Sequence, residues 1–76
     1  MYAVLQWQLA TPAQLNIGIY NEAGTLIQPV ITAREYAKGG YKMTVEFEAA
    51  DVSAGNYYIR LKDGRSVLKE QIVHVD

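Results

Sequence analysis

Apolar and polar residues alternate one by one through most of the chain, the period of half-buried β-strands. From Tyr2 to Leu9 the pattern sets Ala3, Leu5, Trp7 and Leu9 on one face and Gln6 and Gln8 on the other. A loop at Ala10-Thr11-Pro12 precedes a second run, Gln14 to Tyr20, with Leu15, Ile17 and Ile19 inward and Asn16 and Gly18 outward. Asn21-Glu22-Ala23-Gly24 then reads as a type I turn closed by a left-handed glycine. The strand that follows, Thr25 to Ile31, carries Pro29, which cannot donate to a ladder and so predicts an edge or a bulge. Tyr41 to Glu48 turns Tyr41, Met43, Val45 and Phe47 inward and Lys42, Thr44, Glu46 and Glu48 outward. Asn56 to Lys62 does the same with Tyr57, Ile59 and Leu61 against Asn56, Tyr58, Arg60 and Lys62.

The stretches between these runs supply the connections. Asp63-Gly64 provides two positive-φ positions for a tight hairpin into a last strand, Ser66 to Val75. In that strand Val67, Val73 and Val75 share one parity and Leu68 and Ile72 the other, which predicts a bulge near Lys69 to Gln71. Thr32 to Gly40 reads as an inter-sheet loop. Its Thr32-Ala33-Arg34-Glu35 capping pattern leaves a single helical turn closed at Gly39 as the alternative. Ala49 to Gly55 crosses over, with Val52 expected to plug the end of the core. Asp51-Val52-Ser53-Ala54-Gly55-Asn56-Tyr57 has the form of a tyrosine corner, in which the Tyr57 hydroxyl binds backbone a few residues upstream. The sum is an all-β fold: an immunoglobulin-like antiparallel β-sandwich of six or seven strands.

The chain has 76 residues, so residues 1–76 form one domain, near the size at which a core yields only a few kcal/mol of net stability. A surface function fits that size better than a deep catalytic cleft. The formal net charge of −1 and the lack of a basic run give a nucleic-acid partner no electrostatic support. With no cysteine, disulfides and thiolate chemistry are excluded. No apolar run approaches the roughly 20 residues of a membrane-spanning helix, and the N-terminus has no signal-peptide pattern.

Few residues offer chemistry. His74, the one histidine, shares a strand face with Asp76 and reads as a solvated strand-end residue. Glu46, Glu48 and Asp51 suggest a calcium site or a glycosidase pair, although alternating acid is ordinarily the wet side of a strand. Gly39-Gly40 lacks the spacing of a phosphate loop and reads as a turn. No enzymatic activity and no cofactor or metal are expected. Tyr2, Tyr20 and Tyr58 fall on outward parities and are candidate interface aromatics for protein or carbohydrate. The strand with Pro29 and the final strand are candidate edges for strand addition or homodimerisation.

Three stretches together resemble the C-terminal sorting domains of type IX secretion cargo. These are the hairpin Leu15-Asn16-Ile17-Gly18-Ile19-Tyr20-Asn21-Glu22-Ala23-Gly24-Thr25-Leu26-Ile27, the run Gly39-Gly40-Tyr41 followed by Asp51 to Leu61, and the closing Leu68-Lys69-Glu70-Gln71-Ile72-Val73-His74-Val75-Asp76. The hairpin and Gly-x-Tyr pattern is also similar to the immunoglobulin-like domain of the flagellar hook-capping protein. The chain departs from the sorting family in having no Pro-Asn-Pro box before its first strand and in ending on His74 and Asp76 instead of lysines. The resemblance implies a non-enzymatic domain at the end of a longer polypeptide, directing a bacterial cargo through an outer-membrane translocon to the cell surface. It assigns translocon recognition to the tail Lys69, Glu70, Gln71, Ile72, Val73, His74, Val75 and Asp76. The alternative is a generic adhesion or scaffold module.

Overall fold

The computed structural model describes residues 1–48 and 53–76. Six strands follow one another: β1 (Tyr2–Leu9), β2 (Ala13–Tyr20), β3 (Leu26–Tyr36), β4 (Gly39–Glu46), β5 (Gly55–Asp63) and β6 (Ser66–Val75). β1 and β4 form one antiparallel sheet; the other has the order β3-β2-β5-β6. Named as in immunoglobulin domains, the strands occupy positions B, C, C′, E, F and G, with B beside E in one sheet and C′-C-F-G in the other. The fold is an immunoglobulin-like antiparallel β-sandwich of six strands among the described residues, with no strand at positions A or D.

The core lies between the sheets and is built from the inward parities. Leu5, Leu15, Ile17, Ile19, Val45, Ile59 and Leu61 are fully buried, and Trp7, Leu9, Phe47 and Tyr57 close the layer around them. Each buried aliphatic side chain contributes about 2 kcal/mol, a large share of the net stability of so small a domain.

Side chains close both seams between the sheets. The Phe47 N–H donates to the Met1 carbonyl at 2.9 Å, so with the β1–β4 register the odd-numbered β1 residues bond to β4 and the even-numbered ones point their backbone groups away from it. On the β3 side the Gln28 carboxamide acts as a fragment of strand: Nε2 donates to the Glu46 carbonyl at 2.8 Å, and Oε1 accepts from the Glu48 N–H at 3.0 Å. On the β6 side the Lys69 ammonium donates to the Gln6 carbonyl.

Two anticipated turns have the expected geometry. At Asn21–Gly24 the Gly24 N–H donates to the Asn21 carbonyl at 3.0 Å, Gly24 has φ +82°, and Asn21 Oδ1 accepts from the Thr25 N–H at 3.0 Å. At the corner, the Tyr57 hydroxyl donates to the Ser53 carbonyl at 2.7 Å and accepts from the Ser53 N–H at 3.0 Å. Gly55 enters β5 at φ +143°, a region that favours glycine. Asp51 and Val52 lie outside the described residues, so the expected Val52 plug does too.

Four expectations are corrected. The segment from Thr32 is neither loop nor helical turn up to Tyr36, because β3 continues through a bulge. Asn16 of β2 faces both Thr32 and Ala33, and the Asn16 Oδ1 accepts the Ala33 N–H at 2.9 Å while Ala33 sits at φ 49°. A distant amide thus overrides the local capping pattern. Gly39-Gly40 is the start of β4, paired with Leu9 and Gln8, and Ala37 and Lys38 make the connection. In the β5–β6 hairpin Asp63 pairs with Ser66, so the turn residues are Gly64 and Arg65, and Gly64 alone has positive φ, at 60°, the glycine-first order of a type II′ turn. The bulge in β6 is at Leu68, between the Leu61–Lys69 and Lys62–Val67 pairs, one residue before the expected span; Ile72 stays outward, 65% exposed.

Candidate functional site

The tail assigned by resemblance forms the free edge of the four-stranded sheet. Lys69 to Val75 pair without interruption with Leu61 to Gly55, and among the described residues no strand lies on the other side of β6. Gln71, Val73 and Val75 are half-buried, and both valines pack against the core; Lys69, Glu70, Ile72, His74 and Asp76 are exposed. Glu70 Oε2 accepts from Arg60 Nε at 2.7 Å. His74 Nδ1 lies 2.8 Å from Asn56 Oδ1 and its Nε2 lies 3.1 Å from Asp76 Oδ1. Both ring nitrogens thus lie within hydrogen-bond distance of a side-chain oxygen, Asn56 Oδ1 on β5 and Asp76 Oδ1 two residues on, and the histidine and the aspartate are both exposed.

The outer face of the same sheet carries the second feature. Leu26, Tyr20, Tyr58 and Ile72 are paired in turn across β3, β2, β5 and β6, forming one row over all four strands. The Arg60 guanidinium lies 4.8 Å from the Tyr20 ring centre and 5.6 Å from that of Tyr58, and the Lys62 ammonium lies 5.0 Å from Tyr20. Gly18 makes room for the row, since a Cβ there would come within 2.6 Å of Leu26 Cδ1. Tyr20 and Tyr58 therefore form one patch. Tyr2 does not join it: it pairs with Glu46 in the other sheet and is 67% exposed.

The remaining candidates are dispersed. Glu46 and Glu48 are exposed, with their nearby backbone groups held by Gln28, and Asp51 lies outside the described residues. Among the described residues no three His, Cys, Asp or Glu side chains come together as metal ligands would.

Sequence reasoning missed a cluster at one end of the sandwich. Trp7 and Tyr41 are stacked with centroids 5.3 Å apart, and Tyr36 meets them edge-on at 5.7 and 5.0 Å. The Tyr41 hydroxyl donates to the Ala37 carbonyl at 2.7 Å, tying down the β3–β4 connection. Tyr36 and Tyr41 flanking Gly39-Gly40 was the available signal, hidden because Tyr36 fell in a presumed loop.

No protein-family model matches the chain, and neither a curated protein nor a solved structure matches it.

Proposed function

We propose that the domain is non-enzymatic and that its last strand is an address: Lys69 to Asp76 is read by a translocon that carries a bacterial cargo to the cell surface. The supporting observation is that this segment, singled out by its resemblance to sorting tails, is an edge strand with seven consecutive regular pairs on one side and, among the described residues, no strand on the other. A partner strand can add there through backbone hydrogen bonds, while the alternating exposed side chains of Glu70, Ile72 and His74 supply specificity.

The row on the outer face favours the second reading, an adhesion or scaffold module. Within that reading a protein ligand fits better than a carbohydrate, because Arg60 and Lys62 already lie over the tyrosine ring that a sugar would stack on. Lys62 instead suits an acidic group on a protein, while Arg60 is already paired with Glu70.

The test fuses the domain to a reporter in a type IX secreting bacterium. Removing Val73 to Asp76 is a poor variant, since it takes away two valines that pack on the core. Ile72→Asp with His74→Asp changes exposed positions only. The account predicts that this variant stays folded and is not exported, while the intact domain and a Tyr20→Ala, Tyr58→Ala variant reach the surface. Equal export of the tail variant and the intact domain contradicts the address. Failure of both with folding intact favours the adhesion or scaffold reading.

A further inference from the structure

The strand registers rule the outer face of the four-stranded sheet into rows. Leu26, Tyr20, Tyr58 and Ile72 make the first, Pro29, Gly18, Arg60 and Glu70 the second, and Asn16, Lys62 and Val67 most of the third. Leu26 and Ile72, at the two ends of the first row, are 48% and 65% exposed, and among the described residues no strand packs over the face. Its charges are nearly balanced within the chain. Arg60 is paired with Glu70 at 2.7 Å, which leaves Lys62 as the one cation of the three rows without a carboxylate among the described residues. Apolar contact and shape therefore decide what covers the face.

The rows are complementary to themselves. Turning a second copy about a two-fold axis that runs along the strands, in the plane of contact, lays each row on the same row in reversed strand order. Leu26 then faces Ile72 of the second copy, Tyr20 faces its Tyr58, Arg60 faces its Gly18 and Lys62 faces its Asn16. Apolar meets apolar, ring meets ring, and no charge meets its like. Arg60 comes over a groove of about 230 Å³ beside Gly18, between Tyr20, Leu26 and Pro29. Asn16 Oδ1, which accepts the Ala33 N–H, keeps a second lone pair for the Lys62 ammonium. Four strands about 4.8 Å apart and about 26 Å long present roughly 500 Å² per copy in flat projection, so about 1,000 Å² for the pair before side-chain relief is counted. That reaches the size at which a specific interface begins.

We propose that two copies of this chain associate face to face through the outer side of the four-stranded sheet, with Leu26 and Tyr20 of each against Ile72 and Tyr58 of the other. A closed two-fold dimer is the commonest homo-oligomer. An interface of this area makes it weak and concentration-dependent. The inference goes beyond both readings of the function, since it uses the side chains of the row and leaves the backbone edge of β6 open.

Sedimentation equilibrium on the whole chain, from about 10 µM to about 1 mM, tests it. The mean mass should rise toward that of a dimer, and the ring proton signals of Tyr20 and Tyr58 should move with concentration while those of Tyr2, on the other sheet, stay fixed. Leu26→Glu and Ile72→Lys change exposed positions, and each alone sets a charge against an aliphatic side chain, so each should weaken association about tenfold or more. Mixed in equal amounts, the two variants should dimerise again, because the new carboxylate of one faces the new ammonium of the other. Thr44→Lys, exposed on the opposite sheet, should change nothing. A chain that stays monomeric across the series overturns the proposal. So does a dimer that survives both single variants, is not restored in the mixture, or is lost with Thr44→Lys.

Discussion

Replacing Tyr57 by phenylalanine isolates the corner from the core around it. The ring is 5% exposed and meets Phe47 edge-on at 6.2 Å, and phenylalanine keeps those contacts. What it removes is the hydroxyl that donates to the Ser53 carbonyl at 2.7 Å and accepts from the Ser53 N–H at 3.0 Å. Two bonds at about 1 kcal/mol each, in a part-buried setting, put the loss near 2 kcal/mol. Tyr57→Ala adds a cavity and costs about 3 to 5 kcal/mol, as much as a domain of this size has to lose. The phenylalanine variant is therefore the informative one. In a urea titration with a slope of about 1 kcal/mol/M, its midpoint should fall by about 2 M with the slope unchanged. Ser53→Ala removes only a hydroxyl 3.3 Å from the Tyr57 oxygen and leaves both backbone bonds, so its midpoint should move by a small fraction of that. Equal midpoints for wild type and Tyr57→Phe would refute the corner as a stabilising element.

Ala33→Gly relieves a left-handed φ of 49° on a residue with a Cβ and should raise stability by about 0.5 to 1 kcal/mol, read as a higher melting temperature; a drop would show that the bulge is not strained. Gln28→Ala loses the bonds to the Glu46 carbonyl and the Glu48 N–H and should cost about 1 kcal/mol in denaturant, with hydrogen exchange quickening at the Glu48 amide. Calcium or zinc should leave the melting temperature unchanged, since a ligand that binds only the native state must raise it; a reproducible rise would redirect attention to Glu46, Glu48 and Asp51.

The inward faces were legible because burial in a two-layer sandwich imposes a strict period of two, and Leu5, Ile17, Val45 and Ile59 obey it. The Asn21–Gly24 turn and the Tyr57 corner were legible because their chemistry is local, joining residues four positions apart. Extension of β3 through Thr32 and Ala33 was not, since Asn16, 17 positions away, holds the bulge against a capping pattern that points to helix. The shifts at Gly64 and Leu68 are one-residue choices that depend on how β5 and β6 pair, which alternation alone leaves open. For the candidate site, the sequence marked Tyr20 and Tyr58 as outward but not as neighbours, because their pairing belongs to β2 and β5, strands far apart in the chain. The Lys69–Gln6 bond spans 63 positions and has no sequence signal at all.

The central claim is that the exposed edge at β6 is what a translocon reads. Because the chain has no cysteine, a single one can be placed at will and cross-linked in secreting cells during export. Ile72→Cys lies in the middle of the tail strand, and Thr44→Cys lies on the outward parity of the opposite sheet. The account predicts an adduct with a translocon component from Ile72→Cys and none from Thr44→Cys; export that proceeds with no adduct at Ile72→Cys, or with equal adducts at both, contradicts it.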